Sequence, residues 1–224
     1  MRYVTPIFFL AAAIAVALPT LGNAGRIVAP ATIANEPEGN LPAFPVINLI
    51  NQSGLTELYD PGFTRFTGFV QRTPHKDPSV IGNGGFASPD NFVTAYDFLM
   101  DFGSPLRLSR LALWNDTSTQ GVGFFTVFSS DSNYENLDSL GDFSAAITAP
   151  GVVPGQIFNF KDAMSQYFVV RAQALDPAQN LLNFGEFAFE KVPAPVPLPW
   201  SLPLFAAALA ALGVWRRPAR RPYS

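Results

Sequence analysis

The 224-residue sequence contains no cysteine and only one histidine, His75. The absence of cysteine excludes disulfide bonds, zinc–thiolate sites and cysteine nucleophiles. A single histidine excludes metal sites built on paired histidines and leaves one imidazole for acid–base catalysis. Because no G-x-S-x-G elbow accompanies it, we predict that His75 is an exposed loop residue rather than a catalytic base.

Basic residues are scarce in the central part of the chain. Five of the fourteen lysines and arginines lie in residues 1–24 or 193–224, which contain no acid. Nine basic residues therefore stand against seventeen acids in between, a net charge near −8. Nucleic-acid partners require a basic surface, so the sequence predicts no nucleic-acid partner.

Both ends of the chain have the pattern of membrane-targeting segments. Arg2 precedes an apolar run at residues 7–18, and small residues before Ala24 predict cleavage after it. Near the other end, residues 198–215 carry no charge. As a helix they would span about 27 Å, close to the thickness of a bilayer core. The arginines that follow predict a cytoplasmic end for this segment, and they are Arg216, Arg217, Arg220 and Arg221.

A short proline motif directly before this segment completes an ordered set with the arginines behind it. The set resembles the VPLPA variant of the PEP-CTERM sorting signals of bacterial surface proteins, with Trp200 at the usual alanine position. The resemblance implies an inner-membrane-anchored precursor, recognition by an exosortase-type membrane peptidase, and delivery to the cell surface or extracellular matrix. A plain C-terminal membrane anchor is the alternative. The motif consists of Val196, Pro197, Leu198 and Pro199.

The chain is thus predicted to contain four parts. They are a signal peptide (residues 1–24), a β-sandwich domain (25–192), a proline-rich linker that enters the sorting motif (193–197), and the transmembrane sorting segment with its arginine tail (198–224).

Short strands separated by turn residues dominate the predicted domain. In residues 96–102 four apolar side chains fall on one face, and Asp97 and Asp101 fall on the other with Leu99 between them. This is the period of a half-buried strand. No sustained helical period is present, so we predict an all-β antiparallel sandwich or jelly roll. Residues 130–142 are expected to form an exposed loop, with one helical turn at residues 134–137. The predicted strands are 26–29, 44–50, 55–59, 63–70, 96–102, 108–114, 124–129, 143–148, 156–160, 167–173 and 184–190.

Five short motifs between residues 96 and 189 occur in a characteristic order. They are a D-F-G turn, a strand ending in Trp-Asn, a strand followed by Asp131, an aromatic strand ending at Arg171, and a closing G-E-F-x-F strand. This order resembles that of discoidin or galactose-binding-like jelly rolls. The resemblance implies the same jelly-roll fold and contact with carbohydrate.

A structural calcium ion is the cofactor that the same resemblance implies. Ca²⁺ prefers hard oxygen ligands gathered from flexible loops. By position, the ligands would be Glu186 on the closing strand and oxygens of the loop at residues 83–90, with Asn83 and Asp90 at its ends. The alternative is that Glu186 is the outward residue of an alternating strand.

The same resemblance implies sugar contact through aromatic side chains on loops, together with a few polar groups. For the tryptophan among them, core packing is the favoured role. The candidates are Trp114, Tyr134, Tyr59 and Phe86.

Paired carboxylates for glycoside hydrolysis are not evident. Asp97 and Asp101 are about 13 Å apart by strand rise, too far for a direct acid–nucleophile pair, and alternation explains them as a solvated face. We therefore predict a non-enzymatic surface or matrix protein whose sandwich binds exopolysaccharide or another envelope component. The alternatives are a structural or adhesion protein without a ligand pocket, and a glycan hydrolase.

Overall fold

The computed structural model describes residues 25–34, 41–88, 95–130, 134–176, 178 and 181–193. The predicted signal peptide, sorting motif, anchor and arginine tail lie outside these residues, as does Asp90. Among the described residues, no helix has both the length and the apolar character needed to cross a bilayer.

Antiparallel strands account for most of the described chain. Eight strands, one 3₁₀ helix and one short α-helix are present there. The strands are β1 (Arg26–Val28), β2 (Thr32–Ile33), β3 (Phe86–Ala87), β4 (Ala95–Asn115), β5 (Val122–Ser130), β6 (Asp138–Ser144), β7 (Gln156–Ala174) and β8 (Asn183–Lys191). The 3₁₀ helix is Val46–Leu49, and the α-helix, α1, is Phe66–Arg72.

The strands join in the order β1-β8-β4-β7-β5-β6, while β2 adds to β4 and β3 adds to β8. Every pairing between these strands is antiparallel. The prediction of an all-β antiparallel domain is confirmed.

One strand pairing and one aromatic contact together show that this sheet folds over on itself. Phe187 of β8 pairs with Leu113 of β4. Leu113 lies fifteen residues after Phe98 on the same strand, which is about 50 Å along a straight strand. Yet the Phe98 and Phe187 ring centroids are 6.0 Å apart. The register of β4 against β7 shifts between Asp101 and Leu106, where the strand bends, so the two halves of β4 belong to two facing layers.

The space between the layers is filled mainly by phenylalanine. Phe98 is fully buried and makes edge-on contacts with Phe86 and Phe184, at centroid distances of 5.5 and 5.4 Å. Edge-to-face packing of this kind adds to the roughly 1.5–3 kcal/mol that burial of each ring contributes. This core holds the two layers together.

A second apolar cluster covers the outer face of only one layer. Phe66, Phe69 and Val70 of α1 pack there on Trp114 of β4 and Ala188 of β8. Because the core covers their other side, β8 and the end of β4 are buried on both faces. Nothing comparable in the described part of the chain lies over the outer side of β5, which carries the exposed Phe124.

Helices replace two of the predicted strands. Residues 44–50 form the 3₁₀ helix after Pro45, and its buried Val46 and Leu49 are three residues apart, the 3₁₀ period. Residues 63–70 were predicted as a strand but contribute to α1. The spacing of its buried residues Phe66, Phe69 and Val70 is i, i+3, i+4, which is helical.

Two pairs of predicted strands are single long strands in the structure. Residues 96–102 and 108–114 both belong to β4, and residues 156–160 and 167–173 both belong to β7. Gly103, predicted to turn the chain, instead has φ 72° within β4 and accompanies its register shift. A bulge bends a strand without ending it, which alternation alone does not distinguish from a turn.

The segment at residues 130–148 also differs from its prediction. β6 begins at Asp138, inside the predicted loop, and ends at Ser144, before most of the predicted strand at residues 143–148. Tyr134 and Asn136 have φ values of 73° and 56°, which are left-handed, so the predicted helical turn is wrong.

Candidate functional site

Three of the four predicted sugar-binding aromatics are buried. Trp114 and Phe86 are fully buried and Tyr59 is 4% exposed, so none of the three is available to a ligand on the surface. The Trp114 indole donates a hydrogen bond of 2.8 Å to the Thr73 carbonyl, and the favoured core role of Trp114 is confirmed. Tyr134 is 41% exposed and remains a candidate by accessibility.

Glu186 is not the outward strand residue that alternation suggested. It is fully buried because the second apolar cluster covers that face of β8. The Tyr59 hydroxyl lies 3.4 Å from its Oε1, whereas Oε2 has no hydrogen-bond partner in the described structure. Burial raises the pKa of Glu186 well above its ordinary value, and hydrogen bonds from Tyr59 and Gln52 only partly oppose this. Burial and the charge of Glu186 also raise the pKa of Tyr59.

Two of the three predicted calcium ligands, Glu186 and Asn83, lie within the described residues. The Asn83 side-chain amide donates a 3.0 Å hydrogen bond to the Asp77 carbonyl, and Asp90 lies outside the described residues. The described residues contain no group of three or more histidine, aspartate and glutamate side chains placed to hold a metal. The unpartnered Oε2 of Glu186 is the kind of hard oxygen that suits a cation. Calcium binding stays a prediction.

His75 is buried, contrary to the prediction of an exposed loop residue. Its ring lies between two glycines, since a Cβ on either Gly54 or Gly185 would overlap it. Nδ1 contacts the Lys76 carbonyl, and Nε2 makes no well-formed hydrogen bond to the described residues. Burial lowers the pKa of His75 below 6.5, against hydrogen bonding to backbone groups. The His75 ring fills the tight space between the loop at Gly54 and strand β8 at Gly185.

An open depression lies on the outer face of the other layer, where β5, β6 and β7 run side by side. Its volume is about 340 Å³. We call it the outer-face pocket. It is lined by Phe124, Phe125, Thr126, Asp142, Phe143, Ser144, Arg171 and Gln173.

A row of polar side chains crosses the strands at this pocket. The register places Asp97 opposite Arg171, Arg171 opposite Thr126, and Thr126 opposite Asp142. Arg171 donates from Nε and Nη2 to the two Asp97 oxygens, both at 2.6 Å. The Thr126 hydroxyl donates to Asp142 Oδ1, also at 2.6 Å. The row is therefore internally ordered while it faces solvent.

The Arg171 guanidinium is held in position from two sides. Its central carbon lies 5.3 Å from the Phe128 ring centroid, a cation–π distance, while Asp97 fixes one edge. The hydrogen bond to Asp97 raises the pKa of Arg171, so the group remains charged. The third nitrogen, Nη1, makes no hydrogen bond to the described residues and is a free donor.

Phe124 is the most exposed of the aromatic residues that line the pocket, at 54%. In the register it stands between Gln173 and Ser144, one step along the sheet from the polar row. A flat apolar ring beside several donors and acceptors suits a ligand that has both an apolar face and hydroxyl groups around its edge.

This pocket was not predicted from the sequence, although a strand over most of β5 was. Phe125 and Val127 of β5 point into the core, so Phe124, Thr126 and Phe128 point outward. Two outward phenylalanines on one strand are a signal that alternation could have revealed. The polar row could not be found in this way because it requires the pairing of four strands.

No protein-family model matches the sequence, and no curated protein matches it. Among solved structures, a GH31 CBM32-2 module bound to GalNAc is 9% identical, with a TM-score of 0.48, over 70% of this chain and 95% of that chain. A putative chitobiase fragment from Bacteroides thetaiotaomicron is 17% identical, with a TM-score of 0.41, over 53% and 77%. A CBM32-1 module of a family 31 glycoside hydrolase from Clostridium perfringens is 18% identical, with a TM-score of 0.36, over 51% and 79%. The chain is similar to these three structures, with an identity of at most 18%.

Proposed function

We propose that this β-sandwich binds a polysaccharide through the outer-face pocket. The observation that carries the proposal is the exposed Phe124 ring beside the ordered row of Arg171, Thr126 and Asp142. A sugar ring stacked on Phe124 would bring its hydroxyl groups to the free Nη1 donor and to the Asp142 carboxylate. Stacking on an aromatic ring and a few convergent polar groups together give both affinity and orientation.

The role proposed is binding without catalysis. The two carboxylates of the row, Asp97 and Asp142, are separated by three strand spacings, about 14 Å. Glycosidase carboxylates are about 5–9.5 Å apart. Each is also engaged by a neighbour, Asp97 by Arg171 and Asp142 by Thr126. Release of reducing sugar from any polysaccharide by the purified protein would contradict this part of the proposal.

Affinity electrophoresis tests the binding proposal. Full-length protein in mild detergent is run through native gels with and without galactan, galactomannan or glucan. We expect at least one polymer to retard the wild type and the Phe124→Ala variant to migrate as it does without polymer.

Phe63→Ala is the matched control, because Phe63 is 74% exposed and does not line the pocket. Its retardation should equal that of the wild type. Absence of retardation on every polymer, or equal retardation of both phenylalanine variants and the wild type, would overturn the proposal. In the first case, a structural or adhesion role without a glycan site would remain.

We also propose that the chain is exported and then sorted to the surface through its C-terminal motif, with an exosortase-type peptidase as partner. The support is the order of Val196–Pro199, the apolar segment and the arginines. Intact mass of the protein recovered from its own cells is the test. Loss of about residues 1–24 and of the segment beyond the motif is expected, whereas an intact C-terminus in the inner membrane would contradict sorting.

A further inference from the structure

We propose that the outer-face pocket selects neutral polysaccharides, and that Asp142 is the residue that rejects polymers bearing carboxylates. This inference rests on the proposed glycan-binding function of the same pocket and names its ligand class.

The charges around the pocket do not balance. Arg171 is neutralised by Asp97 through two hydrogen bonds. Asp142 is exposed, and its partner within the pocket is the uncharged Thr126 hydroxyl. None of the salt bridges of the described structure includes Asp142. The pocket therefore carries one uncompensated negative charge, within a central part of the chain whose net charge is near −8.

The geometry brings this charge close to a bound sugar. Arg171 and Asp142 flank Thr126 on neighbouring strands, each about 4.8 Å away across the sheet. A sugar ring over Thr126, stacked on Phe124, would lie within reach of both side chains.

A uronate carboxylate in that position would face Asp142 at a distance of about 4 Å. In water at low salt, two like charges at this separation repel enough to weaken binding about fivefold. A neutral sugar meets no such repulsion, and its hydroxyl can donate to Asp142 Oδ2, which has no hydrogen bond to the described residues.

Asp142 therefore attracts the hydroxyl groups of neutral sugars and repels the carboxylates of uronates. Arg171 does not reverse the preference for neutral ligands, because Asp97 occupies two of its three nitrogens and cancels its charge.

The test compares the same electrophoretic retardation on two kinds of polymer at low salt. Neutral galactan, galactomannan and glucan form one set, and the polyuronates alginate and pectate form the other. Wild-type protein should be retarded by a neutral polymer and more weakly by polyuronate. Asp142→Asn keeps the size of the side chain and an acceptor oxygen but removes the charge. It should shift the polyuronate-to-neutral affinity ratio about fivefold toward polyuronate.

Asp138→Asn is the matched control, since it makes the same charge change on β6 outside the pocket. Asp138 is roughly 13 Å from Asp142 by strand rise, so in water its charge repels a uronate in the pocket about three times more weakly than a charge 4 Å away does. Its affinity ratio should stay within about twofold of the wild-type ratio. High salt should reduce the difference between Asp142→Asn and the wild type because the repulsion is screened.

The outcomes separate the two proposals. A wild type that binds neither kind of polymer overturns the glycan-binding function, and this inference with it. If the wild type binds both kinds of polymer equally, the inference alone is overturned. The same holds if the Asp142→Asn variant is folded, still binds neutral polymer and keeps the wild-type affinity ratio. An equal shift in Asp138→Asn would assign the selectivity to overall charge and would also overturn the role of Asp142.

Discussion

Replacement of Glu186 by glutamine should change how the stability of the protein depends on pH. Glu186 is fully buried, and burial raises the pKa of its carboxyl well above the ordinary 4.5. Glutamine has nearly the same shape and can accept the same hydrogen bond from Tyr59, but it has no proton to lose. The variant therefore removes the titration while it keeps most of the packing.

The direction of this pH dependence follows from the number of protons bound by the folded and the unfolded chain. Above pH 4.5 and below the raised pKa, folded Glu186 keeps a proton that the unfolded chain has released. The folded state binds more protons, so the free energy of unfolding falls as pH rises, by at most about 1.4 kcal/mol for each pH unit. Below pH 4.5 both states are protonated and the effect disappears. The Glu186→Gln variant should thus gain stability relative to the wild type as pH rises through this window.

His75 gives the free energy of unfolding the opposite pH dependence, which must be separated from that of Glu186. Its pKa is lowered by burial, so below 6.5 the unfolded chain binds a proton that the folded chain does not. Stability from this group is complete above pH 6.5 and is lost as pH falls toward the lowered pKa. Because His75 is present in both proteins, its contribution cancels in the difference between variant and wild type.

The assay is urea unfolding of both proteins between pH 4 and 9, with and without a calcium chelator. We expect the stability difference to increase with pH above about 4.5, at a slope of up to about 1.4 kcal/mol per unit. Parallel curves for the two proteins would refute the raised pKa of Glu186. If added calcium stabilises the wild type but not the variant, Glu186 is an ionised metal ligand, as the sequence resemblance implied.

Three further substitutions test packing by urea unfolding at one pH. Trp114→Phe should lower the free energy of unfolding by about 1–3 kcal/mol, because a buried carbonyl loses its donor; no loss would show that the indole hydrogen bond is unimportant. Gly54→Ala should cost about 1–3 kcal/mol or more because its Cβ would overlap the His75 ring; a neutral effect would contradict the tight packing. Phe98→Ala should cost about 3–5 kcal/mol, and a cost below 1 kcal/mol would argue against a shared aromatic core.

The strands of the C-terminal half were predictable because their signal is local. In β4 the core residues Phe98, Met100 and Phe102 occupy alternate positions. In β8 the core residues Phe187 and Phe189 do the same. In the N-terminal half, local composition predicted strands where the structure has helices. Residues 44–50 are apolar and β-branched, which favours strands, but Pro45 and the spacing of the buried residues produce a 3₁₀ helix.

Site residues were harder to predict because a site depends on burial. Tyr59, Phe86 and Trp114 are aromatic residues that the sequence allowed on the surface, yet the second cluster and the core enclose them. His75 was expected to face solvent, as was Glu186 in the alternative to calcium binding, and both are buried. Composition and spacing report which groups are available to a site, but they do not report which face of a strand another element covers.

The sequence by itself determined the all-β class, the antiparallel strands of the second half, and the exclusion of cysteine chemistry, because these depend on composition and on a period of two. Tertiary structure alone decided that α1 covers one layer and leaves the outer side of β5 open. It also decided that Asp97, Arg171, Thr126 and Asp142 stand in one row. These residues are far apart in the chain and meet because hydrogen-bonded register aligns four strands, a long-range constraint that no local pattern encodes.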